Sequence, residues 1–206
     1  MNDADGARTV EASARLFIAV TPPPDVLEAL GRARRELEGR GLPRLRWVAP
    51  ERLHLTLKFL GQTPPDRIDD VAAAMEEAAA ALAPIELRLA EWGTFGGRGG
   101  RAPRVLWVGL SGEVEALVGC AEAVDAALSA RGFEPEPRPF RPHLTLARVP
   151  DRASAEDRAA VARTVAEAPE PTTPAFRVTA LDLVRSHLGG GPARYEALRR
   201  APLGPS

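Results

Sequence analysis

Cysteine is almost missing from this 206-residue chain: Cys120 stands alone, so no internal disulfide can form and a disulfide-stapled scaffold is excluded. A reducing compartment suits such a sequence. Cys120 lies in the apolar helix-like run VGCAEAVDAAL, where a buried structural thiol is the expected reading. Long apolar runs are also lacking. The stretch nearest the N-terminus, LFIAV, has five residues, against the roughly 20 that a spanning helix needs. The acidic, polar start MNDADGARTVEASA does not resemble a signal peptide, so the expectation is a cytoplasmic protein with no membrane association. There is no excess of charge of one sign. A net charge of −1 argues against bulk polyelectrolyte binding, and any nucleic-acid contact must use a local basic patch. Neither G-x-x-x-x-G-K-[ST] nor G-x-S-x-G occurs, which leaves a P-loop ATPase and an α/β-hydrolase unsupported.

Histidine is scarce as well, with three residues, yet two of them occupy the same context: HLTLKFL from His54 and HLTLARV from His143. The surroundings repeat too. His143 and Thr145 lie 89 positions beyond His54 and Thr56, and Arg15 shifted by 89 is Arg104, so that RLFIAV falls on RVLWVG. Leu87 and Leu89 fall on Phe176 and Val178 at the same offset, and the first helix falls on the third without a gap. A shared offset through strand, helix and motif predicts an internal duplication.

Short apolar runs and apolar alternation predict strands in RLFIAV, LRWV, LHLTLKFLG, IELRLAEW, RVLWVGL, RPHLTLARV and AFRVTALDLVRSHL, with ARYEALRR as a last short one. Helices are expected in DVLEALGRARRELEGRG, PPDRIDDVAAAMEEAAAALA, EVEALVGCAEAVDAALSARG and SAEDRAAVARTVAEA. The second of these carries prolines at its start, acids in its first turn and Pro84 beyond its end. Residues 1–14 and 201–206 read as tails, leaving 15–200 as a single bilobal domain. The expected fold class is α+β: two lobes related by a pseudo-twofold axis, each a mainly antiparallel sheet with helices on its outer face, and a cleft between them.

Side chains alternate along a strand, so His54, Thr56 and Lys58 are expected on one face, with Leu55, Leu57 and Phe59 in the core. His143 and Thr145 share a face in the second lobe, opposite Leu144 and Leu146. A twofold relation lets these faces meet across the cleft. Two imidazoles can divide at pH 7 into an acid and a base, and two threonine hydroxyls can donate to non-bridging oxygens of an anion. Attack at phosphorus requires both: one proton leaves the incoming oxygen and another reaches the departing one on the opposite side. A metal site is less well supported, because each motif offers one imidazole and no H-E-x-x-H occurs. His187, in RSHLGGG, reads as a solvated loop histidine.

These stretches, together with RSHLGGGPARYEAL near the end, resemble the 2H phosphoesterases, named for paired His-x-[Ser/Thr]-x motifs. Within that family the chain is similar to RNA 2′,3′-cyclic phosphodiesterases, also called 2′-5′ RNA ligases, over roughly residues 15–200. The resemblance implies a hydrolase without metal or cofactor that opens a 2′,3′-cyclic phosphate at an RNA 3′ end to a 2′-phosphomonoester. His54 and His143 would be catalytic, with His54 the acid towards the 3′-oxygen and His143 the base on water. Thr56 and Thr145 would bind phosphate. Arg148 matches an arginine five residues after the second histidine, although strict alternation turns it away from His143 unless a bulge intervenes. The reverse reaction would form a 2′-5′ bond. Implied partners are RNA ends bearing the cyclic phosphate, tRNA fragments among them, or cyclic nucleotides, and the protein is expected to be a monomer. The alternatives are a non-catalytic RNA-end or nucleotide-binding module, and a metal-dependent phosphoesterase using His187. Arg98, Arg101, Arg104, Arg138 and Arg141 are open between tracking an RNA backbone and ordinary solvated surface. Trp47, Trp92 and Trp107 are expected in the core, and Tyr195 as a half-buried strand residue.

Overall fold

The alternating stretches pair as antiparallel strands of one curled sheet, and the helical stretches pack on it. The computed structural model describes residues 13–96, 102–187 and 193–204. Residues 1–12, the loop carrying Arg98 and Arg101, and the glycines after His187 lie outside the described residues. In chain order the elements are β1 (Ala14–Val20), α1 (Pro24–Glu38), β2 (Arg46–Trp47), β3 (Leu55–Thr63), α2 (Ile68–Ala80), β4 (Ile85–Gly96), β5 (Pro103–Gly112), α3 (Val114–Ser129), β6 (Leu144–Arg148), α4 (Ala155–Glu167), β7 (Phe176–Val178), β8 (Ala180–His187) and β9 (Arg194–Pro202).

The sheet runs β7-β4-β5-β6-β3-β1-β8-β9, with β2 alongside β6. It falls into two four-stranded halves, β3-β1-β8-β9 and β6-β5-β4-β7, which meet where Leu55 pairs with Leu144. Within the second half, Leu87 of β4 pairs with Phe176 of β7. Both pairs join residues 89 apart (144 − 55 and 176 − 87). In an antiparallel pair, a residue on a local twofold axis faces its own symmetry mate, and this is the arrangement at both places. Leu16, Ile18, Leu55, Leu106, Leu144, Leu181 and Leu183 are buried in a shared core. α2 covers β8 and β9, α4 covers β4 and β5, and α3 packs between α2 and β3.

Local chemistry accounts for the ends of the helices. Pro24 opens α1, where a missing N–H costs nothing. A 3₁₀ turn at Pro65–Arg67 absorbs the prolines before α2. Ser154 and Asp157 exchange side-chain and backbone hydrogen bonds, both 3.0 Å, in a capping box at the start of α4.

Some expected boundaries move. Ala14 belongs to β1, and β9 is nine residues long rather than a short strand. Residues 201–204 are held in place: Ala201 and Leu203 are buried, and the N–H groups of Leu203 and Gly204 donate to Thr179 and Ala79 (2.9 and 3.0 Å). The single strand expected from Phe176 to His187 breaks at Thr179. Its first part pairs with β4 in one half of the sheet, and its second part with β1 and β9 in the other.

Candidate active site

Each HLTL strand carries a β-bulge at the same place. In β3 the pairing with β1 steps from Ile18↔Lys58 to Ala19↔Thr56, passing over Leu57. In β6 the pairing with β5 steps from Leu106↔Ala147 to Trp107↔Thr145, passing over Leu146. A bulge places two consecutive side chains on one side and shifts the alternation beyond it by one residue. The burial sequence of Leu55–Phe59 and of Leu144–Arg148 is accordingly the same: buried, half-buried, buried, buried, exposed.

Two expectations are thereby reversed. Lys58 does not share the face of His54; it is 5% exposed on the core side. Phe59 is not in the core; it is 61% exposed on the face of His54 and Thr56. The corresponding bulge in β6 returns the exposed Arg148 to the face of His143, which strict alternation did not allow.

The motif strands lie side by side rather than facing one another across a gap. Extending the antiparallel register at Leu55↔Leu144 by one residue each way sets His54 beside Thr145 and His143 beside Thr56. All four half-buried side chains thus occupy one concave face of the sheet.

The two imidazoles are anchored identically. Nδ1–H of His54 donates to the Arg52 carbonyl and Nδ1–H of His143 to the Arg141 carbonyl, both at 2.7 Å. Because a carbonyl only accepts, each ring carries its proton on Nδ1 and presents Nε2 to the site. Burial pushes His54 below the ordinary histidine pKa and His143 lowers it further, while the bond to Arg52 opposes both.

Aromatic rings flank both histidines. Phe17 stacks on His54 with centroids 4.7 Å apart, and Tyr195 meets it edge-on at 5.2 Å. Phe95 meets His143 edge-on at 4.8 Å, and Trp107 lies 6.2 Å away. Gly93 is required here, since a Cβ would come within 2.1 Å of the Trp107 ring. Trp107 therefore borders the site, contrary to a purely core role. Trp92 is core, its indole N–H donating to Pro169 (2.8 Å), and Trp47 is half-buried under the Arg34 guanidinium. Phe17 escaped sequence reasoning because every residue of Leu16–Val20 is apolar and no alternation marks the face. Phe95, Trp107 and Tyr195 come from strands remote in sequence, and only pairing reveals their proximity.

The remaining candidates lie elsewhere. Nε2 of His187 sits 2.8 Å from Glu196 at the mouth of the β8–β9 hairpin. No group of three His, Cys, Asp or Glu side chains gathers among the described residues as a metal would need. Arg104 is paired with Asp151, and Arg138 lies 3.7 Å from Glu136. Cys120 is fully buried, its thiol pushed up to about 11, in keeping with a structural role. No helix among the described residues is long and apolar enough to cross a membrane.

The sequence profile of the 2′-5′ RNA ligase superfamily matches residues 22–190. The chain is 39% identical over 132 residues to an RNA 2′,3′-cyclic phosphodiesterase of Geobacillus stearothermophilus, covering 64% of this chain and 41% of that protein. It thus spans less than half the length of that relative. Identity to the RNA 2′,3′-cyclic phosphodiesterase of Thermus thermophilus is 37% over 142 residues, covering 65% and 68% of the two chains. Among solved structures, E. coli LigT complexed with 3′-AMP matches with a TM-score of 0.71 at 26% identity, covering 93% of this chain and 98% of that one.

Proposed function

The chain belongs to the 2′-5′ RNA ligase superfamily, and from that premise we propose that it is an RNA 2′,3′-cyclic phosphodiesterase that needs no metal. The observation that carries this reading is the pair of identically bulged, identically anchored His-x-Thr strands meeting at Leu55 and Leu144. Two like-tautomer imidazoles on one concave face, each beside a threonine hydroxyl, suit a phosphate diester flanked by an acid and a base.

Nε2 of His143 takes a proton from water as the water oxygen attacks phosphorus. The bond from phosphorus to the 3′-oxygen breaks, and Nε2–H of His54 protonates that oxygen, leaving a 2′-phosphomonoester and a free 3′-hydroxyl. Thr56 and Thr145 donate to the non-bridging oxygens, and Arg148, on the His143 side, adds charge to the same phosphate. Run backwards with a 5′-hydroxyl in place of water, the same two groups exchange roles and a 2′-5′ bond forms. Phe59 and Tyr195, exposed beside His54, offer the terminal base an apolar surface. RNA ends with a cyclic phosphate, tRNA fragments included, and cyclic nucleotides all present the required group to a cytoplasmic monomer of this kind.

The deciding experiment incubates EDTA-treated protein with a cyclic-phosphate-ended oligoribonucleotide and identifies the product isomer. A 2′-phosphate is expected. A 3′-phosphate would contradict the assigned leaving group, and activity that EDTA abolishes and zinc restores would replace this reading with a metal-dependent one.

The assignment of His54 as acid makes a second prediction. Burial and His143 hold the ligand-free imidazole below its ordinary pKa, so it is neutral at pH 7 and must gain a proton when the anionic phosphate enters. Binding of a nucleoside 2′-monophosphate should raise the His54 titration midpoint followed by NMR, with proton uptake at pH 7. An unmoved midpoint would assign the acid to His143 instead.

A further inference from the structure

Lys58 is a buried cation placed two residues beyond Thr56, and the chemistry proposed above makes no use of it. The bulge in β3 turns it to the core side, where Nζ lies 2.5 Å from the Asp125 carboxylate of α3 and 2.7 Å from the Glu134 carbonyl. The same Asp125 carboxylate accepts the backbone N–H of Glu136 at 3.1 Å. Glu134 and Glu136 lie in the segment between α3 and β6, which goes on to provide the Arg141 carbonyl that anchors His143. One ammonium therefore ties the strand of the first motif to the segment that delivers the second.

A role in making the bulge does not explain this lysine. Ala147, which stands 89 positions on from Lys58 at the equivalent bulge of β6, is fully buried without any charge. Nor is stability a sufficient reason, because an ion pair that takes a buried ammonium out of water typically does no better than apolar side chains of similar volume. What the pair does provide is a directional link across the junction of the two halves. Only the single pair Leu55↔Leu144 joins β3 and β6 among the described residues.

We propose that Lys58 and Asp125 form a positioning pair that sets the spacing between His54 and His143. This rests on the acid–base reading of those histidines. A reacting phosphate must touch both Nε2 atoms at once, and a displacement of about 1 Å can cost on the order of 10²-fold in rate. His143 already lowers the pKa of His54, so the separation of the rings has a second readout that needs no turnover.

The test compares Lys58→Met and the double variant Lys58→Met/Asp125→Asn with the wild type. The double variant removes both charges and retains an acceptor for the Glu136 N–H, so it avoids an unpaired, half-buried carboxylate. Folded variants are expected to lose about 10–100-fold in kcat with KM within about threefold. The His54 midpoint is expected to rise as repulsion from His143 weakens. A folded variant with wild-type kcat and an unmoved His54 midpoint would overturn the proposal. So would collapse of both variants, which would make the pair a folding requirement instead. If the wild type turns over no cyclic phosphate, the acid–base reading falls, while the histidine titrations still report whether Lys58 sets the spacing.

Discussion

His54→Ala and His143→Ala are each expected to lower turnover of a 2′,3′-cyclic phosphate by on the order of 10²–10⁴-fold. The reason lies in the proposed division of labour. One Nε2 must remove a proton from water while the other delivers one to the departing oxygen, and the two rings cannot substitute for each other from the same side of phosphorus. Both rings are fixed through Nδ1 to carbonyls two residues upstream, so the ring that remains is held in its own place rather than free to take over the other's. Removal of both is expected to cost little more than removal of one, because the residual rate then comes from the threonines and Arg148 holding the phosphate. Binding of a nucleoside 2′-monophosphate should survive in each variant within about tenfold, since the phosphate contacts proposed for Thr56, Thr145 and Arg148 are untouched. Undiminished turnover in both single variants would exclude histidine catalysis. A wild-type protein that binds the RNA end but leaves it intact would make the site a binding module.

Leu144→Ala is expected to destabilise the fold by about 2–5 kcal/mol, as urea denaturation would measure. Leu144 has no exposed surface, and it is the β6 partner of Leu55 at the junction of the two halves. Truncation there leaves a cavity between the strands that carry the two histidines. The same truncation at Leu117, buried in α3, should cost a similar stability. The two variants should nevertheless differ in activity per folded molecule: Leu117→Ala stays near the wild type, whereas Leu144→Ala loses at least about tenfold as the strands settle around the gap. Equal specific activities in the two would show that the junction tolerates a shift without consequence for the histidines.

The sequence by itself determined the elements and singled out the candidate site residues, because both are written in local patterns. A short run of apolar β-formers marked β1, and period-two and period-3.6 spacing marked β3, β4, β6 and the four helices. The duplicated HLTL singled out His54, Thr56, His143 and Thr145, which the fold sets on one face. Tertiary structure alone decided which way the side chains after each threonine point. A bulge is a property of two paired strands, and the extra residue exists only relative to a partner, β1 for Leu57 and β5 for Leu146. For that reason Lys58 and Phe59 exchanged the faces that alternation assigned, and Arg148 reached the side of His143. Pairing partners likewise decided that Phe176–Val178 leaves β8 for the edge of β4, and that Phe17, Phe95, Trp107 and Tyr195 enclose the imidazoles. Intrinsic periodicity describes one strand. Register, and with it the composition of the site, belongs to two.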